Sequence, residues 1–354
     1  MLTQNAAQGL PWLAAPLQHL LQTQRAHALL LHGPQGVGQF ELGLTLAQAW
    51  LCEAAQAPST DRPCGACASC RLVHAHSHPD LLVLLPEALR EALGWESSGN
   101  DDSASESKSK AKPSKEIKVE AVRQAVVFAQ TTSARGRGKV VVLHPAERMN
   151  GVAANTLLKT LEEPPGNARF VLGCAAPEAL LPTIRSRCQA IAMGLPAVDV
   201  ATAWLVQKGV ASAEVMLAAA GGQPLEALEW TQQGIDAASW VALPARVARG
   251  DASAVAGWPL PRVVDALQKL CHDAMCLAVG AAPRYFPPKS LTAFGSPEAL
   301  GAWHRELQRI ARHAEHPFNL GLVVESLVQQ AKVALAPRAG PGRSPKTASI
   351  HSAA

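Results

Sequence analysis

The sequence predicts an α/β fold with a five-stranded parallel sheet, followed by a region of helices alone. Short apolar runs alternate with helical patterns over residues 28–193, which is typical of parallel strands buried on both faces. A glycine-rich turn separates the first apolar run from a long helical pattern, and after residue 193 the composition shifts to alanine-rich helices. These observations place a sheet domain first and a helical region second.

Length and composition limit the functional classes. The chain has 354 residues, of which 48% are apolar, and a formal net charge of +4, which is too mild to argue for nucleic-acid binding by itself. No apolar run approaches the roughly 18–20 residues that a membrane-spanning helix needs. Residues 1–10 lack a basic region before an apolar stretch, so we expect a cytoplasmic protein with no membrane partner. Its eight cysteines then indicate metal binding or plain burial rather than disulfides.

The first apolar run, residues 28–31, leads into a loop of the phosphate-binding (P-loop) type. Gly33, Gly36 and Gly38 fit the pattern of a strand, G-x-x-x-x-G-K-[ST] and a helix. Gln39, however, replaces the lysine that reaches the phosphates, and Phe40 replaces the hydroxyl residue that holds Mg²⁺. The loop therefore keeps its shape but lacks the cation and the metal ligand, and we do not expect it to bind ATP.

A cysteine cluster follows the first long helix. Its members are spaced C-x11-C-x2-C-x2-C and are Cys52, Cys64, Cys67 and Cys70. Four thiolates at this spacing can close a structural, tetrahedral Zn²⁺ site; four unrelated thiols and an iron–sulfur cluster are the alternatives. Bacterial ferredoxins continue with x3-C-P, whereas Arg71-Leu-Val-His74 follows here. One of His74, His76 and His78 could replace a cysteine, but we interpret them as core or solvated side chains.

The remaining strands are predicted from four further apolar runs. These are residues 80–85, 140–143, 170–173 and 189–193. In an active P-loop enzyme the third strand ends in an acidic residue that holds Mg²⁺; here it ends at His144, and Glu147 lies one turn too late. Cys174 and Ala175, after the fourth strand, are poor candidates for a polar sensor of a γ-phosphate. These departures agree with the loss of the lysine.

Helical periodicity and composition assign most of the remaining chain. The predicted helices are residues 16–24, 40–51, 119–130, 154–161, 296–313 and 319–335. Residues 96–115, rich in Ser, Asp, Glu and Lys, predict a disordered surface insertion, and residues 336–354 predict a disordered tail. Arg135, Arg137 and Lys139 lie in a glycine-rich turn; they could contact a phosphate backbone, but a solvated loop is the default interpretation.

Four features, in this order, carry a family resemblance. They are the glycine loop, the cysteine cluster followed by His78-Pro79-Asp80, the helix end Leu158-Lys-Thr-Leu-Glu-Glu-Pro-Pro165, and Ser186-Arg187-Cys188. Together they resemble the clamp-loader AAA+ proteins of bacterial DNA replication, over residues 12 to about 193. The chain departs from the motor members of that family at the loop, at His144 and at Leu225, which stands where the motors carry an arginine. It is more similar to the members that do not hydrolyse ATP.

The resemblance implies an architecture and a role. The implied parts are an AAA+ α/β domain (1–194), a helical lid (195–239), an all-α collar for oligomerisation (240–335) and the tail. The implied function is that of a non-hydrolysing clamp-loader subunit within the DNA polymerase III assembly, in which Arg187 serves as an arginine finger at a neighbour's ATP. The implied partners are motor subunits of gamma or tau type and a delta-type subunit, with the sliding clamp and primer–template DNA reached through the complex.

Three alternatives remain open from the sequence. The chain could be an ATP-hydrolysing motor with an unusual loop, or a zinc-dependent nucleic-acid-binding module. Arg187 could also pair with a local carboxylate such as Glu178 and have no role at an interface.

Overall fold

A computed structural model of the chain describes most of its length. The described residues are 9–54, 61–90, 93–95, 113–291, 295–314 and 319–336. Most of the predicted insertion and all but the first residue of the predicted tail lie outside them. The chain divides into two compact units, Met1–Gly209 with Gly222–Leu228, and Val210–Gly221 with Glu229–Ala354. The boundaries predicted between domain, lid and collar stay predictions.

The first unit is built on a five-stranded sheet in the order β2-β3-β4-β1-β5. The strands are β1 (Ala28–His32), β2 (Leu81–Leu84), β3 (Val140–Leu143), β4 (Arg169–Cys174) and β5 (Gln189–Ala192). All of the pairs are parallel. The predicted α/β fold class is therefore confirmed, and each predicted strand agrees within one residue at either end.

Helices surround the sheet, and four of them, α1, α2, α5 and α6, correspond to the helices that the periodicity predicts. Those of the first unit are α1 (Ala14–Thr23), α2 (Gln39–Leu51), α3 (Ala68–His74), α4 (Glu87–Arg90), α5 (Val119–Gln130), α6 (Gly151–Glu162), α7 (Pro182–Arg185) and α8 (Val198–Gln207). The Asn150 side chain caps α6 by accepting from the Ala153 amide at 2.9 Å. Pro164 and Pro165 follow the last turn of α6 and stop it, because proline cannot continue a helix.

Both faces of the sheet are buried, and alternate residues of each strand lie on opposite faces. One face packs against α5 and α6; its strand residues are Ala28, Leu30, Val141, Leu143, Phe170 and Leu172. The other face packs against α2, where Gly43 lies so close to the sheet that an added Cβ would be 3.0 Å from a methyl of Val171. This two-residue alternation is the geometry of a strand, and it explains why the strands read as continuous apolar runs.

A buried carboxylate organises the amino end of β2. Asp80 is fully buried and accepts hydrogen bonds from the Ala134 amide at 2.8 Å, the Arg135 amide at 2.8 Å and the Ser133 hydroxyl at 2.9 Å. The Lys139 ammonium lies 3.0 Å from the same carboxylate, with 9% of that side chain exposed. The loop between α5 and β3 thus wraps around Asp80.

This contact corrects the default interpretation of that loop as solvated. Lys139 is buried in an ion pair, and Arg135 makes a two-pronged pair with Glu53, with nitrogen–oxygen distances of 2.6 and 3.0 Å. Arg135 and Lys139 thus neutralise acidic groups that lie far away along the chain, whereas Arg137 is exposed as the default interpretation expects.

The second unit contains helices alone among its described residues. They are α9 (Ala213–Ala219), the last residues of α10 (Pro224–Gln232), α11 (Ala237–Ala248), α12 (Leu260–Ala278), α13 (Pro297–Ala311) and α14 (Leu320–Leu335). Its core includes Trp240, which stacks on Phe286 with ring centroids 4.5 Å apart. Buried Asp273 accepts the backbone amides of 284–286 and so fixes the chain that follows α12. Ser296 caps α13 by accepting from the Ala299 amide, as the sequence predicts.

Within the described part of the chain, no helix is both long enough and apolar enough to cross a bilayer.

We predict that Asp80→Ala lowers the free energy of unfolding by about 3–5 kcal/mol, because it leaves a buried ammonium and several amide donors unpaired. Urea denaturation measures this loss. Glu87→Ala is the control, since Glu87 pairs with Lys118 at the surface and such a pair contributes up to about 1 kcal/mol. Equal losses for the two variants would contradict the role given to Asp80.

The same carboxylate gives a pH dependence. Burial raises the pKa of Asp80, but the Ala134 amide, Lys139 and the other donors outweigh it, and the net pKa is below the usual value. Its contribution to stability is therefore present above the pKa of an unfolded aspartate and is lost as the pH falls through the lower, folded pKa. The stability gap between the native chain and Asp80→Asn should shrink over that acidic range.

Candidate functional site

The glycine loop joins β1 to α2, and its backbone needs glycine at each predicted position. Gly36 and Gly38 have φ angles of +74° and +102°, which side chains rarely adopt. An added Cβ at Gly33 would lie 2.1 Å from the Met193 carbonyl oxygen, and one at Gly38 would lie 2.9 Å from a methyl of Leu13. Packing against the protein itself therefore explains the glycines, without any ligand.

Gln39 closes this loop from inside. Its Nε2 donates to the Gly33 carbonyl at 2.8 Å and to the Pro34 carbonyl at 2.7 Å, and only 4% of the residue is exposed. An amide that donates to two carbonyls of its own loop satisfies groups that would otherwise be orphaned. It offers phosphates no positive charge.

Phe40 and His144, which replace the hydroxyl residue and the acidic strand end of an active P-loop, lie against each other. Phe40 is 4% exposed, and its ring centroid lies 5.5 Å from that of His144 at the end of β3. Burial lowers the pKa of His144, which keeps the imidazole neutral. Glu147 accepts from the Ala175 amide at 2.9 Å and so joins the ends of β3 and β4. Phe40 and His144 thus make an apolar contact, and Glu147 adds a hydrogen bond between the ends of the two strands.

Two other segments of the first unit pack on the loop. The Trp12 indole donates to the Val37 carbonyl at 2.8 Å. The Leu225 amide, at the start of α10, donates to the Gly36 carbonyl at 3.2 Å. A Cβ at Gly36 would also lie 3.2 Å from that of Glu226. The loop is therefore held by the fold on several sides.

The cysteine cluster forms where α2 ends and α3 begins. The ligand atoms of Cys52, Cys64, Cys67 and Cys70 all lie within 4.8 Å of one another, and the Cys52–Cys67 and Cys64–Cys70 sulfur pairs are each 4.0 Å apart. A tetrahedral zinc site with Zn–S bonds of about 2.3 Å needs sulfurs about 3.8 Å apart. The predicted cluster therefore assembles with the size and the donor set of such a site.

The cysteines of the cluster differ in their pKa values. The Cys67 amide donates to the Cys64 sulfur at 3.4 Å, and this bond and others hold the pKa of Cys64 down to about 6. Burial raises the pKa of Cys52 and that of Cys70. One sulfur thus favours the thiolate and two favour the thiol. A divalent cation would stabilise all of them as thiolates.

The nearby histidines are not ligands of the cluster. His78 is buried; its Nδ1 accepts from the Asp80 amide at 3.0 Å, so its Nε2 carries the proton and lies 2.6 Å from the Ser69 hydroxyl. His74 lies 3.0 Å from the Gln48 amide nitrogen, and His76 stacks on Trp95. These histidines instead pack within the segment that surrounds the cysteines.

Arg187 lies between α7 and β5 and has a partner on α6. Its Nη2 and Nε donate to Glu162 Oε2 at 2.9 and 3.2 Å, and its Nη1 donates to the Thr183 carbonyl at 3.2 Å. The alternative of a local ion pair is therefore realised, but naming Glu178 as the partner was wrong. The helix end of 158–165 and the segment 186–188 meet through this pair.

A sequence model of a protein family, described as DNA polymerase III, delta subunit, matches residues 12–196, just over half of the chain. DNA polymerase III subunit delta-prime of Escherichia coli is 30% identical over 281 residues, which are 73% of this chain and 76% of that protein. The chain belongs to the DNA polymerase III delta-prime family. The delta-prime subunit of Pseudomonas aeruginosa is 38% identical over 230 residues, 64% of this chain, and the match spans 62% of that relative's length.

A larger protein of another subunit type is also similar to part of this chain. DNA polymerase III subunit tau of Escherichia coli is 33% identical over 174 residues, which are 49% of this chain and 22% of that protein. The matched length is close to that of the sheet domain.

Sequence reasoning missed three contacts of this delta-prime family member. The hydrogen bonds from Gln39 to its own loop could have been predicted from the sequence, because a buried amide beside a tight loop needs carbonyl partners. For the Asp80–Lys139 pair the sequence contains a weaker signal, which is a charged residue directly before an apolar strand. Glu162 had none, because only the packing of α6 on α7 brings it to Arg187.

Proposed function

We propose that this chain is the non-hydrolysing subunit of a DNA polymerase III clamp loader and supplies Arg187 to the ATP site of a neighbouring motor subunit. The observation that carries the proposal is the closed loop, in which Gln39 donates to two loop carbonyls. A P-loop filled by its own side chains has no use for ATP, yet Arg187 remains 30% exposed at its side chain. The family membership supports the assembly. The proposed setting is the cytoplasm.

The guanidinium suits this task. It is always charged and carries a planar fork of donors that matches phosphate oxygens. Supplied by a neighbour, it stabilises the charge that develops on the transferred phosphoryl group, an effect of roughly 10³–10⁵ in rate in well-characterised cases. The tau-type relatives support a motor of gamma or tau type as that neighbour. A delta-type subunit, the sliding clamp and primed DNA complete the proposed complex.

We expect Arg187→Ala to leave assembly with the motor subunits intact and to reduce ATP hydrolysis at the adjoining site by roughly 10³-fold. Reconstituted complexes, sized by light scattering and assayed for clamp- and DNA-stimulated hydrolysis, measure both quantities. Arg185→Ala is the control, since Arg185 is an exposed residue of α7 in the same segment. A complex with Arg187→Ala that assembles and runs at full rate would show that the residue is structural.

The closed loop predicts that the isolated chain does not bind Mg²⁺–ATP tightly. Calorimetric titration of the purified chain tests this, and tight, Mg²⁺-dependent binding would refute it. The double variant Gln39→Lys with Phe40→Thr should still lack ATPase activity. His144 remains at the end of β3, where an active enzyme carries the acidic residue that holds the metal.

We also propose one structural Zn²⁺ per chain, held by Cys52, Cys64, Cys67 and Cys70. Cys67→Ser should lose the metal and lower the melting temperature, because the binding free energy of a structural metal is folding free energy. Elemental analysis and thermal unfolding measure the two effects. Cys276→Ser, in the second unit, is the control and should keep the metal. Iron in the site, or freshly purified protein without metal, would contradict the assignment.

A further inference from the structure

Glu162 indicates a role for the helix-end motif of residues 158–165, to which the proposed function assigns none. It is the last residue of α6, and Pro164 and Pro165 follow it. Its side chain is 60% exposed, a position where a long acidic residue normally moves freely in solvent. Here it receives two hydrogen bonds from Arg187. The helix end therefore supplies a carboxylate at a fixed place beside the arginine.

The hydrogen bonds hold Arg187 by only part of its guanidinium. A guanidinium has five N–H donors, one on Nε and two on each terminal nitrogen. Glu162 takes the Nε donor and one donor of Nη2, and the Thr183 carbonyl takes one donor of Nη1. Within the described residues, one donor on each terminal nitrogen is thus left over. Two donors on adjacent nitrogens are the fork that binds a phosphate oxygen or two.

The anchors of this arrangement are on regular structure. Glu162 ends α6, and Thr183 is part of α7, which packs against α6. Arg187 is the second residue after α7 and lies two residues before β5. A long arginine side chain fixed in this way loses its rotamer freedom before a ligand arrives, which lowers the entropy cost of binding.

We propose that Glu162 is a positioning residue that orients Arg187 for the neighbour's nucleotide. This inference rests on the proposed function of Arg187 and deepens it. Glu162 holds the inner edge of the guanidinium, and the remaining fork is presented to the phosphate. The carboxylate does not contact the nucleotide; it acts through the arginine.

The test is a set of variants in the reconstituted complex with its motor subunits, sliding clamp and primed DNA. We expect Glu162→Gln to lower kcat for ATP hydrolysis about 10-fold, a smaller loss than that of Arg187→Ala, because a misdirected catalytic group still acts in part. KM for ATP and assembly should stay unchanged. Glu163→Gln is the matched control: it removes an adjacent, exposed carboxylate and should leave kcat at the native value.

A double-variant cycle separates positioning from general damage. If Glu162 acts through Arg187, then Glu162→Gln should cause no further loss in a chain that already carries Arg187→Ala. In the isolated chain, the Nε–H resonance of Arg187 should shift and broaden in Glu162→Gln and stay unchanged in Glu163→Gln. This measurement needs no complex and reports on the contact itself.

Each outcome decides between the two claims. If Arg187→Ala runs at full rate, the proposed function is wrong and the positioning role falls with it. If Arg187→Ala is slow while Glu162→Gln matches Glu163→Gln, only the positioning role is wrong. A Glu162→Gln complex that is faster than the native one would mean that the carboxylate holds the arginine away from the nucleotide. A further loss on the Arg187→Ala background would mean that Glu162 acts by another route.

Discussion

The buried carboxylate of Asp80 ties the cysteine cluster to the sheet. The loop that wraps around it carries Arg135, which reaches Glu53 beside Cys52. Two residues before Asp80, His78 contacts Ser69 on α3. The two helices that bear cysteines are thus fastened to the amino end of β2. Removing one partner of a buried charge is strongly destabilising, so these contacts link the stability of the cysteine segment to that of the sheet edge.

The glycine loop has the shape of a phosphate-binding loop and is held in it by the protein's own groups. Its close backbone contacts are with Met193, Leu13 and the start of α10, and its carbonyls are satisfied by Gln39. In a working P-loop the ligand supplies part of this order. Here side chains and backbone of the protein itself make the contacts that hold the loop. A partner that changes shape during an ATP cycle would meet a constant surface, with Arg187 at a fixed place on it.

The fold followed from the sequence because its main signals are local. Buried parallel strands are apolar on both faces, so each strand appears as a short run. The spacing of the cysteines likewise predicted their assembly. Strand order and the ion pairs were not predictable in this way. Arg135 and Lys139 find their partners through the fold, and Arg187 pairs with Glu162 although Glu178 is nearer in sequence.

The burial of Phe40 makes it difficult to restore the hydroxyl residue of an active P-loop at this position. The ring is 4% exposed, and replacing a buried phenylalanine by a small residue typically costs about 3–5 kcal/mol because a cavity remains. Natural domains have only about 5–15 kcal/mol of stability in total. A lineage that regained the hydroxyl residue one step at a time would first pass through destabilised chains with no gain in activity. If the chain has the proposed function, the filled loop acts as an evolutionary ratchet, under which selection can refine the subunit as a donor of Arg187 but rarely return it to a motor.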